Sequence, residues 1–169
     1  EALDVTESFL AEQGYVFEDL GPDDQTWILQ TQVLGGDYDG AIERFELLGN
    51  GDPLEWLDNV SALLAPDLLN AMGFAYAQRG DTDEAQAILG AETSRMAHFK
   101  PYSAPIFLAP MALNAALLGD DDLAYERLSM AVNMGWADYY RAINDPRWGD
   151  LLSQPRFVKL MERVLADLE

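Results

Sequence analysis

Cysteine is absent from this 169-residue chain, so disulfides, thiolate nucleophiles and thiolate metal ligands are all excluded. That absence fits either side of a membrane. Histidine occurs once, as His98, which removes multi-histidine metal sites and leaves a Ser-His-Asp triad without spare partners. Its polar setting, His98-Phe99-Lys100-Pro101-Tyr102, suits a surface or loop-packing role. Basic residues are scarce, with 10 Lys and Arg against 30 Asp and Glu and a formal net charge of −20. Nucleic-acid affinity comes mainly from cationic side chains displacing counterions, so direct binding of DNA or RNA is disfavoured by sign. Anionic membrane surfaces are disfavoured for the same reason. No apolar run approaches the roughly 20 residues needed to span a bilayer. No stretch sustains the period-2 alternation of a half-buried strand, so no sheet is expected. There is neither a signal peptide nor an initiator Met, and the chain therefore reads as a fragment or processed form of a longer protein.

What is present is an ordinary globular composition, enough for one domain that buries roughly two-thirds of its unfolded surface. The charge is unevenly placed. No Lys or Arg precedes Arg44, whereas Arg141, Arg147, Arg156, Lys159 and Arg163 cluster near the end. Two readings of the acidic excess stand side by side: a solvated surface that keeps the protein soluble, or an N-terminal face that recruits a basic partner.

Three segments share one grammar, Gly-Asp-x-Asp-x-Ala-x-x-x-large apolar. They begin at Gly36-Asp37, Gly80-Asp81 and Gly119-Asp120, with Ala41, Ala85 and Ala124 at the small position and Phe45, Leu89 and Leu128 at the large one. The glycine closes one helix in the left-handed conformation. The aspartates open the next, capping free N–H groups at the positive end of the helix dipole. The alanine allows close helix approach, and the large residue four positions on lies on the same face. The run Asp120-Asp121-Asp122 lacks the twelve-residue spacing of a calcium loop, and capping accounts for it together with its counterparts. Upstream of Gly80, Leu69, Met72, Gly73 and Tyr76 form the companion helix. Leu108, Met111, Ala112 and Ala115 keep that frame in the third unit. In the first unit Ile28 and Leu29 fit, but Gln25 and Gln32 stand where apolar residues are expected.

Leu69-x-x-Met72-Gly73-x-x-Tyr76 followed by Ala85-x-x-x-Leu89 resembles the tetratricopeptide repeat. The resemblance implies an all-α fold of antiparallel helix pairs, forming a short α-solenoid with a C-terminal capping helix. Spacings of 44 and 39 residues between the turn glycines depart from the ideal repeat of about 34 and predict irregular stacking. The expected organisation is one domain: an N-terminal helix and loop over residues 1–22, with the helix at 2–12; a first repeat over 23–50; an inserted short helix within 51–65, starting at Asp52-Pro53; a second repeat over 66–97; a third over 104–135; and a capping tail over 136–169. Pro105 fits a first helical turn, whereas Pro110 should kink its helix or mark the true start. In the tail, short helices are expected near Pro146 and Pro155, with Phe157, Leu160, Met161 and Val164 sealing the open end of the stack. Trp136 and Trp148 read as capping core rather than a ligand cage. Gly135-Trp136, Asp145-Pro146, Leu151, Pro155-Arg156-Phe157 and Leu160 make this tail similar to the one ending tetratricopeptide modules of bacterial winged-helix activators, class III adenylate cyclases and protein kinases.

No catalytic constellation, cofactor-binding motif or metal ligand set is identifiable. Gly35-Gly36 lacks the Lys-Ser/Thr of a phosphate loop. The expected function is a non-catalytic interaction or regulatory scaffold, part of a larger bacterial signalling or transcription-regulatory protein, either cytoplasmic or periplasmic. The alternative is a small-molecule sensor with a pocket between repeats and tail. The partner expected is a protein or peptide, basic under the second reading of the charge. By the family register, the concave face carries Gln30, Asn70, Phe74, Gln78, Ile106 and Leu113, a mix of amides and apolar groups suited to an extended peptide or a helix.

Overall fold

The computed structural model describes residues 14–60, 64–97 and 105–168. Every regular element among them is helical, and none of those helices is long and apolar enough to cross a membrane. The helix expected over residues 2–12 and the segment at His98 lie outside the described residues. Two compact units divide the chain, residues 1–85 and 86–169.

In the first unit, a 3-10 turn at Phe17–Asp19 leads to α1 (Pro22–Leu34), α2 (Tyr38–Leu47), α3 (Pro53–Trp56) and α4 (Ala65–Arg79). Helices α1, α2 and α4 pack on one another around Leu29, Ile42, Phe45, Leu68, Leu69 and Met72, all essentially inaccessible to solvent. The inserted helix is shorter than expected. Asp52 caps α3 by accepting from Glu55 N at 3.1 Å, but after one turn the chain tightens into a 3-10 segment at Leu57–Asn59. The Asn59 side chain donates to Trp56 O at 3.1 Å, a local bond that competes with continuing the helix.

The second unit takes most of α5 (Thr82–Met96), then α6 (Pro105–Leu117), α7 (Asp121–Asn133), α8 (Tyr139–Asn144), a 3-10 segment at Pro146–Ser153, and α9 (Pro155–Ala166). Helix α6 begins at Pro105 and runs through Pro110, so Pro110 does not mark its start. Asn114 ties α6 to α5, donating to Leu89 O at 3.1 Å and accepting from the Thr93 hydroxyl at 2.9 Å. Helix α9 begins where Pro155 pre-sets the backbone at its first position. Its stripe of Phe157, Leu160, Met161 and Val164 is buried with Ala124, Leu128 and Val132 of α7. Trp148 joins that core with its ring 5.5 Å from Phe157, and Trp136 packs half-buried against it. The segment at Pro146 is 3-10 rather than α. Asp145 and Arg147 are buried there as a two-pronged ion pair, Nε to Oδ1 at 2.9 Å and Nη2 to Oδ2 at 2.7 Å.

The three Gly-Asp turns are built alike. Gly36, Gly80 and Gly119 all take positive φ, and each following Asp N–H reaches back to a carbonyl in the preceding helix. Those bonds are Asp37 to Gln32, Asp81 to Tyr76 and Asp120 to Ala115, each 2.9 Å. The glycine N–H groups close the inner bonds, to Val33, Ala77 and Ala116. A fourth turn of the same build ends α7, where Trp136 N reaches Ala131 O at 2.9 Å behind left-handed Gly135. It lacks the Asp that made the others conspicuous. Asp37 and Asp120 cap their helices by accepting from Gly40 N and Leu123 N, both at 3.1 Å. The Asp81 carboxylate takes the Arg79 guanidinium. Within the Asp120–Asp122 run, Asp121 accepts from Gln154 at 2.7 Å and Asp122 pairs with Arg156, holding α9 against α7.

Candidate interaction face

Helix α1 buries polar side chains beside the apolar Ile28, Leu29 and Val33. Gln25, Thr26, Gln30 and Gln32 are all buried, while Trp27 is 55 % and Leu34 47 % exposed. At about 100° per residue, Asp23, Trp27, Thr31 and Leu34 share one narrow strip, and residues 25, 26, 28–30, 32 and 33 are buried. Most of the buried amides find partners. Gln25 donates to Phe17 O at 3.0 Å, and Gln32 donates to Asp37 Oδ2 at 2.9 Å. Gln30 Nε2 and Gln32 Oε1 have none, an arrangement that costs roughly 1–3 kcal/mol per orphaned group.

Of the six residues expected on a concave face, four lie on α1 and α4, which pack together. Gln30 is 4 % exposed and Asn70 fully buried; Phe74 is nearly buried, edge-on to Tyr38 at 5.9 Å; Gln78 is exposed. Ile106 and Leu113 belong to the second unit, where Ile106 is exposed and Leu113 lies in the core with the tail. Trp27 and Leu34 were not among the six. Their spacing of seven, in line with Asp23, was the available signal for an outward apolar strip.

The electrostatics divide with the units. Residues 1–85 contain 19 acidic and 2 basic residues, a net −17; residues 86–169 contain 11 and 8, a net −3. Both cations of the first unit are engaged. Arg44 lies over the Phe17 ring at 5.5 Å, and Arg79 lies over the Tyr76 ring at 5.3 Å while pairing with Asp81. The Tyr76 hydroxyl donates to Glu46 at 3.0 Å, and burial, with help from that carboxylate, holds its proton on well above the usual phenol range.

Two further features could bear on ligands. A cleft of about 300 Å³ opens beside Phe17, Leu20, Leu47, Leu48 and Trp56, with Glu18 and Gln25 supplying polarity. It lies wholly within the first unit. In the second unit Glu92 on α5 is 1 % exposed, its Oε1 has no hydrogen-bond partner, and burial pushes its carboxyl up to about 8 despite the opposing charge of Arg127. Arg127 itself donates to Met111 O at 2.9 Å. Among the described residues no group of three or more His, Asp or Glu is placed to hold a metal ion.

No family model matches the chain, and no curated protein or solved structure shows a significant match to it.

Proposed function

We propose that this chain is a non-catalytic protein-interaction module of the tetratricopeptide type, a regulatory scaffold within a larger bacterial signalling or transcription-regulatory protein. The observation that carries the reading is the repeated turn. Three Gly-Asp turns built on the same two backbone bonds join successive helices, and the last unit is closed by the apolar stripe of α9. Repeats of this kind present side chains from successive helices as an extended surface rather than enclosing a reaction site. The outward Trp27 and Leu34 support the same conclusion, since large apolar groups in line on one helix mark contact surfaces.

The test is affinity capture with the intact chain, followed by direct titration of the purified partner. A partner that binds micromolar or tighter as an intact folded protein supports the scaffold; turnover of a small substrate by the isolated chain overturns it. The cleft beside Trp56 favours a second reading, a small-molecule sensor. A metabolite that raised the melting temperature by several degrees, and lost that effect in Leu48→Arg, would favour the sensor.

A further inference from the structure

Resting on the sensor reading of the cleft beside Trp56, we infer that this cleft is the binding site for a small organic ammonium whose apolar body is one ring or a short hydrocarbon chain.

The cleft is built from four short stretches whose positions are fixed by other contacts. Gln25, near the start of α1, donates from Nε2 to Phe17 O at 3.0 Å and so fastens the 3-10 turn at Phe17–Asp19 to that helix. Leu47 ends α2, because Leu48 takes extended backbone and turns the chain away. Trp56 on α3 forms another part of the lining. A Cβ on Gly49 would lie 2.9 Å from Trp56 Cβ, so the segment after α2 already rests against α3. Little has to move before a ligand enters, which is the usual condition of a small-molecule site. The volume of about 300 Å³ is at the small end for such sites, with room for a ring or a short chain rather than for a peptide.

The lining sets the chemistry of the occupant. Phe17, Leu48 and Trp56 are nearly buried, Leu20 and Pro22 are half-buried, and Leu47 stands at the rim, 65 % exposed. These groups favour a hydrocarbon body, since covering them removes apolar surface from water. Gln25 is 5 % exposed and already has an amide hydrogen engaged with Phe17 O, so its carbonyl oxygen is the acceptor left to a ligand. Glu18 adds a carboxylate on the solvent side. The ligand must therefore bring donors. Charge narrows the choice further, because an anionic head would meet Glu18 within a unit of net −17, whereas an ammonium is drawn by both. The unit's own cations, Arg44 and Arg79, do not line the cleft, and they are engaged over Phe17 and with Tyr76 and Asp81.

The experiment uses the whole chain and three probes that share a phenyl ring on a short chain: phenethylamine, phenethyl alcohol and phenylpropionate. Binding is titrated by ligand-detected NMR at about 0.15 M salt, where the screening length is near 8 Å. The amine is expected to bind about fivefold more tightly than the alcohol and at least tenfold more tightly than the carboxylate. Glu18→Gln should weaken the amine about threefold to fivefold, the size of an exposed ion pair, and leave the alcohol unchanged. Glu84→Gln removes an exposed carboxylate of the same unit outside the lining and should leave the amine unchanged. Leu47→Arg sets a cation at the rim, on a side chain that is already exposed and so is not needed for folding, and should weaken the amine at least tenfold.

Equal binding of amine and alcohol would overturn the inference, as would equal losses in Glu18→Gln and Glu84→Gln, which would reduce the effect to diffuse charge. Absence of saturable binding by the amine at millimolar concentration would overturn it too. If the alcohol or the carboxylate binds best and Leu47→Arg abolishes that binding, the sensor cleft survives and only the ammonium is lost. If none of the three binds and no metabolite shifts the melting temperature, the sensor reading falls as well.

Discussion

Gln32 donates from Nε2 to Asp37 Oδ2 at 2.9 Å, and that bond fixes the identity of residue 40. A Cβ built on Gly40 would lie 2.4 Å from Asp37 Oδ2, inside the space that Gln32 holds the carboxylate in. In the equivalent third turn no glutamine is bonded to the cap, and Leu123 occupies the matching position while its N–H still donates to Asp120 at 3.1 Å. Glycine at 40 is thus a consequence of a buried amide five residues before the cap.

The relationship predicts a reversal of sign. Gly40→Ala should destabilise the parent by about 1–2 kcal/mol, because loss of the cap and of the Gln32 bond outweighs the gain in helix propensity. In a Gln32→Met background, where the Asp37 carboxylate can rotate away, the same change should be neutral or stabilising. A double-mutant cycle by urea denaturation measures the coupling. Equal costs in both backgrounds would refute it.

Glu92 makes stability fall as pH rises. The folded-state carboxyl titrates near 8, against an ordinary value of 4.5. Between those values the folded protein holds a proton that the unfolded chain has released. Its contribution is therefore fully present below 4.5 and is lost progressively as pH climbs toward 8, by about 1.4 kcal/mol per pH unit. Glu92→Gln, which mimics the neutral form, should match the parent near pH 4.5 and exceed it by up to roughly 5 kcal/mol near pH 9. Thermal melts across that range decide it, and a pH-independent difference would count against the buried acid.

The Asp145–Arg147 pair is enclosed, with side chains 5 % and 1 % exposed. Removing one partner leaves the other charge buried, so Arg147→Ala should cost about 3–5 kcal/mol. Asp145→Asn/Arg147→Met should cost clearly less than Arg147→Ala alone, although Asp145 also accepts from Arg147 N at 3.0 Å. Calorimetric unfolding of the three proteins separates the outcomes.

Salt should act unequally on the two units. Raising ionic strength from about 0.01 M to about 0.1 M shortens the screening length from roughly 30 Å to roughly 10 Å. Self-repulsion among the 19 carboxylates of residues 1–85 is relieved far more than in the second unit. Amide hydrogen exchange should therefore slow in α1, α2 and α4 with added salt while changing little in α6, α7 and α9. Uniform slowing across both sets would contradict the charge argument.

The parts of the fold legible in the sequence are those fixed by local backbone chemistry. Gly36, Gly80 and Gly119 announce their turns because the left-handed cap and the following Asp are read within six residues. Pro155 and the stripe from Phe157 to Val164 announce α9 in the same way. The burial of glutamines on α1 was not legible, because burying Gln25 or Gln32 depends on acceptors supplied elsewhere, Phe17 O and the Asp37 carboxylate. The same limit hid Glu92 among thirty acids, since a raised carboxyl depends on what surrounds it. Asn70 and Leu113 illustrate the reverse. The family register placed them on a binding face, and both are buried.

The chain from α2 to α4 takes a longer path than the turn that joins α1 to α2. At Gly36 two backbone bonds close the turn between α1 and α2 within three residues. After α2 the described path passes through left-handed Gly49 and Gly51 and three one-turn segments, Leu48–Asn50, Pro53–Trp56 and Leu57–Asn59. Gly49 is pinned there, because a Cβ on it would stand 2.9 Å from Trp56 Cβ, but Gly51 is exposed and has open space around it. A guest loop grafted at Gly51 thus has room to project into solvent, at the expense of the local bonds from Gly51 N to Leu48 O and Asp52 N to Gly49 O, whereas one grafted at Gly36 would break the turn that joins α1 to α2. Position 51 is where a sensor peptide or affinity handle has open space to be carried away from the helices around it.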